Sequence, residues 1–152
     1  MVALFFYLLA LVCWLGGMIS FVVFTATLFS RLPVAEAGKV VSAIFPYYYI
    51  AGYVGGAITL LLAVYFAVGG RGRGWWICSA LLLAAALGLT VYAGAVVRPK
   101  VESVRGVTEE ATPDPARKAE FDSLHRLSVQ LNGAVMVLDL LAVLSTAAAL
   151  TS

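Results

Sequence analysis

The sequence predicts an all-α integral membrane protein, a four-helix bundle whose fourth helix extends into the cytoplasm. Two observations carry that expectation. Met1 to Ser30, Val40 to Gly70 and Gly74 to Val97 contain no charged residue, and Leu127 to Ser152 contains only Asp139. Each block is longer than the ~20 apolar residues that cross ~30 Å of hydrocarbon at ~1.5 Å per residue. Composition agrees: 62% of residues are hydrophobic, 12% are charged and the mean hydropathy is +0.99. A water-soluble body of that composition would be coated in apolar patches.

The spans are expected at about 3–29, 46–69, 75–98 and 124–150, as a single domain over 1–152. The first lacks a basic leader and runs beyond the ~7–15 residues of a signal-peptide core, so it reads as a retained span. Its small residues Cys13, Gly16, Gly17, Ser20 and Thr27 lie near one stripe. Span two follows Pro46-Tyr47-Tyr48-Tyr49, whose aromatics suit headgroup depth, and carries the GxxxG pair Gly52 and Gly56. Span three opens on Trp75-Trp76, carries a ridge of Ala80, Ala84 and Gly88, and ends at Arg98-Pro99-Lys100, where Pro99 is expected to break or kink the helix. These small residues are read first as helix-packing surfaces.

The fourth helix is expected to start earlier than its span. In Thr112-Pro113-Asp114-Pro115, Asp114 suits an N-cap and Pro115 the first helical position, where its missing N–H does no harm. Lys118/Asp122 and Asp122/Arg126 sit at i,i+4 spacing. A helix from Pro115 to about Leu150 spans roughly 54 Å and must project from the bilayer.

Arg31, Lys39, Arg98, Lys100, Arg105, Arg117, Lys118 and Arg126 fall in the first and third connections, against Arg71 and Arg73 in the second. The positive-inside rule puts those eight in the cytoplasm and both termini outside, in a membrane expected to be bacterial plasma membrane. A net charge of +2 without a basic stripe offers nothing to nucleic acid. No paired carboxylates, nucleophile elbow or phosphate loop is present, so no enzymatic activity is expected.

The candidate chemistry lies on one face of the fourth helix, where His125, Ser128, Asn132, Met136 and Asp139 follow at spacings of 3, 4, 4 and 3. An ionised Asp at mid-bilayer costs ~2.5–3.5 kcal/mol, so Asp139 is expected to face the bundle interior, either as a proton or cation site or as an interhelical hydrogen-bonder. His125, the only histidine, is a candidate ligand for a metal or porphyrin, or an interfacial hydrogen-bonder. Cys13 and Met18 are candidate soft-metal donors, with buried free thiols as the bland reading of Cys13 and Cys78. At about 10 Å difference in depth, the two cysteines are not expected to form a disulfide. Arg98, with Arg31, Tyr48, His125 and Arg126, would make a polar ring suited to an anionic headgroup or small anion.

Cys13-Trp14-Leu15-Gly16-Gly17-Met18, Leu28-Phe29-Ser30-Arg31-Leu32-Pro33, Ala37-Gly38-Lys39-Val40, Ile44-Phe45-Pro46-Tyr47-Tyr48-Tyr49 and Leu124-His125-Arg126-Leu127-Ser128-Val129-Gln130-Leu131-Asn132 together make the chain resemble the transmembrane protein 205-like family. The resemblance implies a four-span domain with no settled activity in its bacterial branch; a eukaryotic relative is associated with tolerance of a platinum drug. The start of span one also resembles copper-resistance and haem-biosynthesis membrane proteins, which rely on more histidines than this chain has.

Three functions compete. The first is a small polytopic protein that binds and translocates a small ligand or soft metal species through a polar interior, as a homo-oligomer using Gly52 and Gly56. The second is a non-catalytic accessory or assembly subunit of a larger membrane complex. The third is a haem or redox protein with His125 as axial ligand. The sequence itself implies no particular cofactor.

Overall fold

A computed structural model describes residues 1–69, 71–106 and 114–152. The described residues form four helical rods. α1 is Val2–Arg31, α2 is Val34–Val68, and α3, Arg73–Tyr92, continues through a π-helical segment, Ala93–Val97, into α4, Arg98–Val104. The last rod, α5, is Pro115–Thr151. Each rod is long and apolar enough to cross a membrane, and the described residues form no strand. The protein is an all-α integral membrane bundle.

α3 packs most extensively on α5, α2 on α3 and α1 on α2, while α1 meets α5 only over a short stretch. The outward faces are apolar: Leu61, Leu81 and Leu144 are each about two-thirds exposed. Lipid rather than water suits such a surface.

Two boundaries differ from the sequence reading, for one physical reason. Loss of charge marks where hydrocarbon begins, whereas a helix ends only where its hydrogen-bond ladder ends. α2 begins twelve residues before Pro46, at Val34, so Pro46 lies inside the helix and the first connection is only Leu32 and Pro33. Arg31 and Lys39 therefore sit in helical turns rather than a loop. Pro99 does not break the third rod. The turn just before it has widened, with Arg98 N–H bonding to the Ala93 carbonyl, and the missing donor of proline is absorbed at the first turn of α4. Ser42 of α2 donates to Glu102 of α4 at 2.6 Å, tying these two extensions together.

α5 starts at Pro115, capped by the Asp114 side chain, which accepts from Ala116 N–H at 3.0 Å. The Lys118–Asp122 pair forms at 3.1 Å. Thr112 and Pro113 lie outside the described residues. At the opposite end Gly72 takes φ +63, and a Cβ there would meet the Ala149 carbonyl oxygen at 2.5 Å. Only glycine suits this turn.

The glycine pair of span two packs inside the chain rather than toward another copy. A Cβ on Gly52 would lie 3.2 Å from Thr90 and 3.3 Å from Trp14, and one on Gly56 would lie 2.9 Å from both Leu87 and Trp14. This surface is already covered by α1 and α3, which corrects the expected oligomer contact. The ridge on span three is also corrected: Ala84 and Gly88 are exposed, and nothing lies within 4 Å of a Cβ on Gly88. The inward face of α3 is Trp76, Ser79, Leu83, Ala86 and Thr90, at alternating spacings of 3 and 4.

Aromatics read as headgroup anchors divide by helix face. Tyr47 is 74% exposed, whereas Tyr49 is 3% exposed and Trp76 4%. Trp76 stacks on Phe66 at 4.6 Å and meets Tyr7 edge-on at 5.3 Å. These rings knit α1, α2 and α3 at one end of the bundle.

Candidate functional site

The interior of the bundle holds a polar column on α5. Asn132, Asp139 and Thr146 recur at a seven-residue interval, so they share one face of the helix. At one end, Tyr48 of α2 donates to Asn132 Oδ1 at 2.8 Å, and Asn132 Nδ2 donates to the Ser128 carbonyl at 2.9 Å. At the other end, Tyr7 of α1 and Thr146 share a hydrogen bond of 2.6 Å, and Thr146 and Ser79 of α3 share one of 3.2 Å. Ser79 also donates to the Ala142 carbonyl at 3.5 Å. Two satisfied polar layers thus clamp α5 to the other three rods.

Asp139 lies between them and is not satisfied. It is fully buried, and neither carboxylate oxygen has a hydrogen-bond partner among the described residues. Its neighbours on the same face, Val135 and Ala142, belong to the hydrophobic core. Tyr7 and Tyr48 lie within its electrostatic reach, one from each layer. An ionised carboxylate in such a place is tolerated only with a cation beside it, and a neutral acid only with a lone proton to donate. The site therefore suits a proton, a cation or a hydrogen-bond donor of small size.

The remaining candidates are distributed as follows. Ser128 and Met136 are half-buried on the inward side of α5. His125 is exposed and stacks on Phe121 at 5.9 Å, so it does not join Asn132 and Asp139. At this level the partly buried positions of α5 are Phe121, Leu124, Leu127 and Ser128, facing α4, so the inward side of the helix has turned away from His125. Cys13 is exposed, not buried, yet with Trp14, Met18, Tyr48, Gly52 and Thr90 it lines a cavity of about 40 Å³. Both cysteines are free thiols. Among the described residues no three His, Cys, Asp or Glu side chains gather as a metal site.

The polar ring expected around Arg98 does not assemble as drawn. Tyr48 is committed to Asn132, and His125 and Arg126 are exposed. Arg98 instead neighbours Tyr53, which also lies within reach of Tyr49. Ser79 opposes Thr146, so Asp139, seven residues back along the antiparallel α5, is level with Ala86. Arg98 is twelve residues further along, roughly 18 Å away at ~1.5 Å per residue.

Sequence reasoning missed Tyr7, Ser79, Thr146 and Tyr49. A signal existed for Thr146, since continuing the stripe by one more heptad from Asp139 reaches it. Tyr7 and Ser79 gave none, because their partners lie 139 and 67 residues away.

No curated protein and no solved structure matches the chain. A family model described as a domain of unknown function (DUF4149) matches residues 9–109, from the third turn of α1 to just past α4. The chain belongs to that family.

Proposed function

We propose that this protein binds, and carries across the membrane, a small cationic or hydrogen-bond-donating ligand through the interior of its bundle at Asp139. The observation that carries the reading is the pairing of complete burial with two unpartnered carboxylate oxygens. Buried polar groups are ordinarily satisfied, and intramembrane acids that are not serve binding or transfer. The hydrogen-bonded layers at Asn132 and Thr146 support it by holding the Asp139 face in place without occupying the acid.

The finer kinship to the transmembrane protein 205-like family belongs to this proposal, and it brings a soft metal species in as one class of ligand. Cys13 and Met18, which both line the small cavity that Tyr48 also lines, support that class. A homo-oligomer, where one forms, uses the exposed Ala84 and Gly88 surface in place of Gly52 and Gly56.

Thermal unfolding of purified protein, titrated separately with sodium and silver(I) nitrate, tests the reading. The wild type is expected to gain stability with one of the two cations, by the linkage of binding to folding, and Asp139→Asn to fold but lose that gain. A gain of equal size in Asp139→Asn, or none in the wild type, removes Asp139 as the site.

A further inference from the structure

Several unusual features meet where α3 passes into α4, roughly 18 Å from Asp139. The π-helical segment Ala93–Val97 inserts a wide turn into an otherwise regular rod. Such turns persist at binding sites because they redirect the side chains that follow. Within it, Gly94 is pressed against α2: a Cβ there would run into the Tyr53 hydroxyl and lie 2.7 Å from the Tyr49 ring. Tyr49 stacks on Phe45 at 5.8 Å and on Tyr53 at 6.2 Å, is 3% exposed, and its hydroxyl has no partner among the described residues.

Arg98 follows Gly94 by four residues, about one turn, and Tyr53 lies within electrostatic reach of both Arg98 and Tyr49. Arg98 is half-buried; its Nε is buried and unpartnered, and no carboxylate pairs with this guanidinium among the described residues. The cluster therefore presents a fixed positive charge and phenolic donors with nothing of opposite charge to receive them. A guanidinium has no acceptor atom, so whatever completes the group must accept hydrogen bonds and carry negative charge.

Depth narrows the chemistry. Arg98 lies twenty-five residues from the start of α3 at Arg73, about 38 Å along a rod whose apolar part needs only ~30 Å. That is headgroup level, where phosphate is the abundant anion, and the planar fork of arginine matches two phosphate oxygens at once. We propose that Arg98, Tyr49 and Tyr53 form a binding site for a phosphate group, carried by an anionic lipid headgroup or free in solution. This site does not depend on the reading of Asp139.

The test uses full-length protein in dodecyl maltoside, a detergent without phosphate, and follows thermal unfolding on addition of phosphatidylglycerol or of inorganic phosphate, with chloride at equal ionic strength as the control. The wild type is expected to gain stability with at least one of the two. A gain with phosphatidylglycerol alone identifies the lipid headgroup as the source; a gain with inorganic phosphate identifies the free anion. Arg98→Gln is expected to weaken the apparent affinity at least tenfold, and Tyr49→Phe about tenfold. Because the Tyr49 hydroxyl is unpartnered without ligand, Tyr49→Phe should keep the ligand-free stability of the wild type while losing affinity, a split that a purely structural tyrosine does not produce. If Arg98→Gln does not fold, Tyr49→Phe decides alone. No gain in the wild type with either phosphate source, or unchanged affinity in the variants that fold, overturns the proposal.

Discussion

Tyr7 and Thr146 stand 139 residues apart in the chain and share a 2.6 Å hydrogen bond at the buried junction of the first and last helices. α1 and α5 touch over little else. The bond therefore closes a ring of helices that otherwise runs in sequence from α1 through α2 and α3 to α5. A double-mutant cycle of Tyr7→Phe and Thr146→Val should give a coupling of about 0.6 kcal/mol, the average for interhelical hydrogen bonds in membranes, and no more than about 1.7 kcal/mol. Chemical unfolding in mixed micelles reads it directly, and a coupling of zero would mean that the two hydroxyls are satisfied elsewhere.

Asp139→Leu should stabilise the protein. Leucine has as many side-chain heavy atoms as aspartate and introduces no polar atom, so the substitution removes two unmatched oxygens from the core. The expected gain is about 1–3 kcal/mol in ligand-free protein, accompanied by loss of any cation-dependent gain. Such an exchange of stability for function is usual at binding sites. A marked fall in the unfolding midpoint would show that the carboxyl has a partner in the membrane.

Two glycines separate packing inside the chain from packing between chains. Gly56→Leu drives a side chain into Trp14 and Leu87 and should cost about 1–3 kcal/mol or prevent assembly of the bundle. Gly88→Leu meets open space and should leave the monomer as stable as the wild type. Unfolding midpoints and size in mild detergent check both. A monomer destabilised by Gly88→Leu contradicts the exposed placement of that ridge.

Orientation can be read by cysteine labelling after replacing Cys13 and Cys78 with serine. Ser152→Cys should react with an impermeant thiol reagent applied to intact cells, and Glu120→Cys should react only after lysis. The motivation is the eight-to-two division of basic residues between the two ends of the bundle. The opposite pattern turns the molecule over in the membrane.

Four spans, the capped start of α5 and the inward placement of Asp139 were legible because each follows from a large local cost: charge in lipid, an uncapped helix end, an acid facing hydrocarbon. What was not legible depends on rotation about a helix axis. The sequence sets Tyr49 and Trp76 at interfacial depth, but nothing local says that they turn inward while Tyr47 and Trp75 turn out. His125 failed in the reverse sense: at its level α5 turns Leu124, Leu127 and Ser128 inward and leaves the imidazole outside. The wide turn at Ala93–Val97 left no sequence mark other than the nearby Gly94 and Pro99. Neither residue type specifies an extra residue in the helix.

The seven-residue interval of Asn132, Asp139 and Thr146 sets a limit on conduction along α5. At ~1.5 Å per residue, neighbouring members stand roughly 10 Å apart, whereas a proton passes between oxygens at about 3 Å or less. The three groups are stepping stones with gaps rather than a continuous wire. Proton passage would need intervening water, and a metal ion or organic cation would have to leave one stone fully before reaching the next.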